Sequence, residues 1–450
     1  MDLKTIRDNG AKNRAALELR GFQNREGLDG KRARGGHDSP LQFSARLRFL
    51  IIGSLLLLGC ETLDLVTSGF QSPPADPEPA EPAPTKVAEI VTGNSTATPV
   101  PATSSSATPS SKTTPFVTPA PRYSMGYGLQ VNWTQRDPRQ SLAEVQALGF
   151  DWVKIQIRWC DFETAKGVAD LRLIDRFMDA AKARGTRVLF SVVCAPNWSR
   201  RDRGAGGSGP PDNMQDAADF MSGIAAYTCQ RGLGAIEVWN EHNLATEWHG
   251  KPISAALYMD MLKKSYAAIK KSCPHLIVIS GAPTPTGYDD GTTAIDDVKF
   301  LQQLYQNGLK QNADAIGAHP SGFCNAPDAA PLTKNHCNAF ISHESFFFRG
   351  TLERYRDVMT QNGDSGKKIW VTEFGWAVDP NPKKGYEYAK SITLEQQAQW
   401  TLTAFQRMKS YGYVGAAFLW NLDFEDMSHE MGAFHILNRP AYDRLKTLAK

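Results

Sequence analysis

Two carboxylic acids stand at comparable places in this chain. Glu241 lies in Trp239-Asn240-Glu241 and Glu373 in Thr372-Glu373-Phe374-Gly375-Trp376, and each closes or nearly closes an apolar, β-branched run. Cleavage of a glycosidic bond needs one carboxyl group to protonate the departing oxygen and a second to meet the oxocarbenium-like centre from the opposite side. Glu241 and Glu373 have the right chemistry for those two posts, provided the fold brings the two strand ends together.

The elements that must do so are legible as short apolar runs alternating with segments of helical period. Eight runs occur: MGYGLQV at 125, WVKIQI at 152, RVLFSVV at 187, AIEVW at 235, LIVIS at 276, AIGAH at 315, KIWVTEF at 368 and AAFLWN at 416. Each precedes a helix candidate. In LRLIDRFMDAAKARG the apolar residues Leu173, Ile174, Phe177, Met178 and Ala181 share one face, and Gly185 suits the C-terminal cap. Thr393 and Gln396 fit a capping box ahead of Leu394, Ala398, Leu402 and Phe405. Eight strand and helix pairs predict an α/β fold, a (β/α)8 TIM barrel over residues 122–450. A doubly wound open sheet is the alternative, but Gly126 and Gly128 lie inside the first strand instead of in a phosphate loop at the start of a helix.

A barrel of this kind carries its chemistry at the carboxyl ends of its strands. Five of the predicted strands end in polar or aromatic residues: Pro196-Asn197-Trp198 follows the third, Trp239-Asn240-Glu241 the fourth, His319 the sixth, Thr372-Glu373 the seventh and Trp420-Asn421 the eighth. Strands four and seven resemble those of the clan A glycoside hydrolases, the retaining (β/α)8 enzymes. VWNEHN is most similar to families 39 and 5, and WVKIQIRWCDFETAKG at 152–167 with APNW at 195–198 resembles the second and third strands of family 39-like endoglycosidases. The resemblance implies a retaining glycosidase with Glu241 as acid/base, Glu373 as nucleophile and Asn240 hydrogen-bonded to the sugar's 2-hydroxyl. It also implies an apolar floor at Trp420 and further binding residues at His319, Trp198, Gln156 and Arg158; Trp159, Trp198 and Trp376 either extend that platform into further subsites or fill the core.

Three positions depart from the pattern. His242 stands where the clan has proline and Lys154 where arginine is common, with Arg158 as a substitute. His319-Pro320-Ser321 replaces an aromatic partner of the nucleophile, so another residue must orient Glu373. In the implied mechanism Glu373 attacks the anomeric carbon, Glu241 donates its proton to the leaving oxygen, and water then reverses the roles. Retention requires carboxyls about 5 to 5.5 Å apart, inversion roughly 6.5 to 9.5 Å. The same residues also fit a barrel that binds glycans without cutting them, or a transglycosylase in which a sugar replaces water.

The chain has 450 residues, 41 % hydrophobic and 22 % charged, with a net charge of +3. Eleven Lys/Arg against six Asp/Glu fall in residues 1–48, and the remainder carries 39 basic and 41 acidic residues with no basic stripe, so nucleic acid is excluded as a partner. FLIIGSLLLLGC at 49–60 follows Arg46 and Arg48 and is too short to span a bilayer, which needs about 20 apolar residues. It reads as a signal-peptide core, and its Leu57-Leu58-Gly59-Cys60 ending resembles the bacterial lipobox, which implies a lipidated Cys60. An ordinary signal peptide or an uncleaved anchor are the alternatives. Residues 61–121, dense in Pro, Ser, Thr and Ala, cannot bury a core and predict a semi-stiff disordered linker. The expected location is therefore the cell envelope, anchored at Cys60, or the exterior if the protein is secreted; a monomer acting on carbohydrate is expected.

Six further cysteines, an even set in an exported chain, predict disulfides with fifteen possible connectivities. The neighbouring pairs are Cys160 with Cys194, Cys229 with Cys273, and Cys324 with Cys337. No CxxC occurs, and His429 and His435 are six apart, so neither a metal nor a cofactor is expected.

Overall fold

The structure, a computed structural model, describes residues 125–203, 207–334, 337, 341–424 and 428–450. The leader, Cys60 and the linker lie outside the described residues. Among those described, no helix is long and apolar enough to cross a membrane.

The eight apolar runs form eight strands: β1 (Gly126–Gln130), β2 (Trp152–Arg158), β3 (Arg187–Val193), β4 (Leu233–Val238), β5 (Ile277–Ser280), β6 (Ala315–Ala318), β7 (Lys368–Phe374) and β8 (Val414–Leu419). Each is followed by its main helix: α1 (Pro138–Ala147), α2 (Arg172–Ala183), α3 (Met214–Thr228), α4 (Ala255–Ser272), α5 (Asp297–Gln306), α6 (Phe348–Gln361), α7 (Leu394–Tyr411) and α8 (Pro440–Leu445). The strands pair in parallel in chain order and β1 pairs with β8, which closes the barrel. This is the predicted TIM barrel. The caps form where the sequence put them. Gly185, at φ 65°, follows α2, and Thr393 and Gln396 make the reciprocal capping box of α7.

Side chains alternate across a strand with a period of two, and this alternation builds the barrel interior in layers. The lowest layer is apolar and mixes large with small: Trp152, Trp370 and Phe418 fill the space left by Ala235, Ala315 and Ala416, with Leu189 and Ile279 beside them. Two residues further along β2, β3, β4 and β7 the same inward face carries Lys154, Ser191, Glu237 and Thr372, all buried. A charge in the middle of a barrel strand is costly unless paired, so this polar layer needs internal partners.

The three disulfides join Cys160 to Cys194, Cys229 to Cys273 and Cys324 to Cys337, one of the fifteen connectivities. The first links the ends of β2 and β3, and Cys160 N also donates to Cys194 O at 2.8 Å.

Candidate active site

Glu241 follows β4 in a loop that is held from several sides. Its own N–H donates to Ala282 O at 2.9 Å, while Trp239 N donates to Val192 O at 3.1 Å. The Asn243 carboxamide bonds Thr284 and Ile295 main-chain groups. Gly281 allows the loop to sit this close, since a Cβ there would lie 2.6 Å from Val238 O and 2.8 Å from Trp239 O. Trp239 and Glu241 have φ values of 73° and 39°. Bulky side chains rarely occupy that left-handed region, and when they do it is at sites where surrounding contacts hold them.

Glu373 is the penultimate residue of β7. The register against β8 shifts there, Ala417 pairing with Val371 and Leu419 with Phe374, so β7 gains one residue between those pairs. A bulge of this sort re-aims a side chain. Trp420 N donates to Phe374 O at 2.8 Å and fixes the strand end, and the Trp420–Asn421 peptide is cis.

The two carboxyls converge. One oxygen each of Glu241 and Glu373 and one ring nitrogen of His319 lie within 4.8 Å of one another, and Glu241 and Glu373 are only 3 % and 9 % exposed. Lys154 Nζ is 2.5 Å from Glu373 Oε1 and 3.8 Å from Glu237 Oε2. Lys154, at the arginine position of the resembled family, is thus the residue that orients Glu373. Arg158 lies two turns of the β-repeat higher, paired with Asp161 at 3.1 Å, and does not substitute for it.

His319 is part of the same network. Thr372 Oγ1 donates its single proton to Glu237 Oε1 at 2.7 Å, so toward His319 Nε2, 3.0 Å away, it accepts. Nε2 therefore carries a proton, and Nδ1 faces Glu241 Oε1 at 3.0 Å. Burial opposes charging of the imidazole, but the Glu373 and Glu241 carboxylates outweigh it and raise its pKa above the usual histidine value. Along the Nδ1–Oε1 axis a proton on one partner is within reach of the other. Glu241, His319, Thr372, Glu237, Lys154 and Glu373 make one continuous chain of polar contacts. Glu237 and the linking role of Thr372 were not read from the sequence. The available signal was a charge at an even spacing below a strand end, as in AIEVW.

The other expected residues divide into two groups. Gln156, Arg158 and Trp420 line a cleft of about 830 Å³ over the ends of β1, β2 and β8, together with Trp133, Phe162, Phe424, Gln130 and Asn132. Trp420 Nε1 and Gln130 Oε1 have no hydrogen-bond partner there. Asn240 sits between Trp239 and Glu241, buried, with Oδ1 likewise unpartnered. Trp198 is partly buried, its Nε1 donating to Glu163 O at 2.9 Å and its ring edge-on to Trp159.

For Trp159 and Trp376 the structure selects the core over the platform. Both are core residues: Trp159 stacks on Phe220, and Trp376 packs against Phe348 and Trp400 with its Nε1 donating to Asn325 O. His242 is a core residue as well. It is fully buried and stacked on Tyr258 at 3.6 Å, where burial holds its pKa well below the usual histidine value, with a smaller contribution from His319.

Two clusters among the described residues have metal-ligand types. Cys229 and Cys273, near His275, are committed to a disulfide. In the cluster of Glu241, His319 and Glu373, the Lys154 ammonium already supplies the cation at Glu373.

No family model matches the chain, and no curated protein matches it. Among solved structures, a family 39 glycoside hydrolase from Bacteroides cellulosilyticus WH2 superposes with a TM-score of 0.55 at 18 % identity, over 72 % of this chain and 63 % of that one. A family 39 β-xylosidase from Caulobacter crescentus gives 0.48 at 18 % identity, over 72 % and 70 %. An exo-β-1,4-mannosidase from an Opitutaceae bacterium gives 0.47 at 15 %, over 72 % and 59 %. The likeness is one of fold.

Proposed function

We propose that this protein is a retaining glycosidase acting on a β-linked polysaccharide or oligosaccharide. The observation that carries the reading is the spacing of Glu241 and Glu373, whose nearest oxygens lie within 4.8 Å. That bound lies nearer the roughly 5 to 5.5 Å of retaining enzymes than the roughly 6.5 to 9.5 Å of inverting ones. The barrel likeness to a family 39 glycoside hydrolase points the same way. A cleft that mixes indole and phenyl faces with amide and guanidinium groups suits sugar rings, which present both C–H faces and hydroxyls.

In the first step a Glu373 oxygen bonds to the anomeric carbon as the bond to the leaving oxygen breaks, and Glu241 delivers a proton to that oxygen. In the second, Glu241 takes a proton from water, the water oxygen bonds to the anomeric carbon, and Glu373 leaves. Lys154 fixes the Oε1 of the nucleophile, and His319 fixes the Oε1 of the acid/base. Trp420 forms the floor.

The decisive test is the anomer released first from a panel of 4-nitrophenyl and oligomeric β-glycosides, followed by ¹H NMR with the full chain. The β-anomer is expected, lost in Glu241→Gln and Glu373→Gln. First release of the α-anomer, or full activity in Glu373→Gln, would refute the mechanism.

The same reading places the barrel at the cell envelope on a lipidated Cys60 at the head of the 61–121 tether. Labelled fatty acid is expected to enter the wild-type chain and not Cys60→Ser; equal labelling of both would remove the anchor.

A further inference from the structure

Glu247 lies in the loop after β4, six residues past Glu241, and is 1 % exposed. Its main-chain oxygen accepts Trp239 Nε1 at 2.9 Å, but neither carboxyl oxygen has a hydrogen-bond partner. The Asn240 amide is near enough to favour the ionised form of this carboxyl, and Asn240 Oδ1 also lacks a donor. With Glu247 ionised, this pair sets three buried acceptor atoms against the Nδ2 protons of Asn240, and a buried acceptor without a donor costs roughly 1–3 kcal/mol. A single proton on Glu247 supplies the donor that Asn240 Oδ1 lacks, because a carboxylic acid both donates and accepts.

We propose that Glu247 is a positioning residue whose O–H donates to Asn240 Oδ1, turning Asn240 Nδ2 toward the cavity as the donor to the sugar's 2-hydroxyl oxygen. This deepens the glycosidase reading and rests on it for the identity of the hydroxyl. The two ends of a carboxamide have nearly the same shape, so the proton on Glu247 decides which end faces the sugar. Ionised Glu247 would instead accept from Nδ2 and present Oδ1, an acceptor, to the cavity.

The electrostatics agree with the geometry. Burial, then the charges of Glu241 in the same loop and Glu373 on β7, push the Glu247 carboxyl up to about 8; Asn240 and Arg158 at the end of β2 offset part of this. Behind the pair stand Lys154 on β2 and His319 after β6, each engaged with a carboxylate of the pair. Below about pH 8 the donor end of Asn240 faces the sugar, and above it the donor is withdrawn.

The first arm of the test needs no substrate. In the full chain carrying ¹⁵N-asparagine, with Asn240→Ser used for assignment, the Asn240 carboxamide resonances are expected to shift with a midpoint near pH 8 and to stay still in Glu247→Gln. Resonances that are static in the wild type, or that move equally in Glu247→Gln, would overturn the proposal even if the protein proved to cleave nothing. The second arm compares kcat/KM on a 4-nitrophenyl β-glycoside and on its 2-deoxy counterpart. Glu247→Ala is expected to lose about 100-fold on the first, the scale of one lost transition-state donor, and far less on the second. Glu247→Gln, whose amide still donates to Oδ1, should recover most of the loss and lack the alkaline fall near pH 8. Equal losses on both substrates would mark Glu247 as merely structural.

Discussion

Glu373→Ala is expected to lose roughly 10⁵-fold in kcat, on the scale of deleting a catalytic nucleophile, and to regain turnover in added azide with an α-glycosyl azide as product. The structure gives the reason for the rescue. Removing the carboxylate leaves a space beside Lys154 Nζ, which sat 2.5 Å from Glu373 Oε1, so the hole offers a cation to an incoming anion. Azide then attacks from the face Glu373 had occupied, and one displacement inverts a β-glycoside to the α-product. Glu241→Ala should behave in the opposite sense. With an activated aryl leaving group the glycosyl-enzyme still forms, and azide intercepts it from the other face, giving the β-glycosyl azide. The two anomers, measured by ¹H NMR, assign the two roles independently of rate. Exchanged products would mean that Glu241 is the nucleophile, and no rescue of either variant would remove the double displacement altogether.

The parts of the site that were legible in the sequence are those that end strands. RVLFSVV and KIWVTEF coincide with β3 and β7 to the residue, because a strand buried on both faces is a continuous apolar run with little ambiguity in where it begins. A polar residue closing such a run marks the mouth of the barrel, and this was enough to bring Glu241, His319 and Glu373 together. The roles left unread are those that depend on register. Glu237 and Lys154 look like ordinary interruptions of apolar strands, and only the closure of β2, β4 and β7 around one interior shows that they face each other. Glu247 lies in a loop, where no period relates it to Asn240. The place of Trp159 and Trp376 stayed open in the sequence for a different reason. A tryptophan beside a strand end can face the cavity or the surrounding helices, and Phe220 of α3 and Trp400 of α7 claimed Trp159 and Trp376.

The polar layer beneath the carboxyl pair makes Lys154 the residue where stability and chemistry meet. Its side chain is fully buried between Glu373 and Glu237, so Lys154→Met keeps most of the length of the side chain and removes the charge and its donors. Glu237 would then retain Thr372 Oγ1 and the Ala282 N–H, at 2.7 and 3.3 Å, with no cation to balance it. Breaking a buried pair by deleting one partner costs about 3–5 kcal/mol, and denaturant unfolding should register a loss of that size. Activity should fall by about 100-fold even in the folded fraction, since an unheld nucleophile samples positions an ångström from the productive one. The double variant Lys154→Met/Glu237→Gln separates the two effects. Neutralising Glu237 removes one of the two uncompensated charges while its amide can keep the contact with Thr372, so part of the stability should return. Glu373 would still lack its partner, and the kinetic loss should remain. Recovery of both together would make Lys154 a structural residue alone, and a single variant with unchanged stability would show that the interior does not depend on this cation.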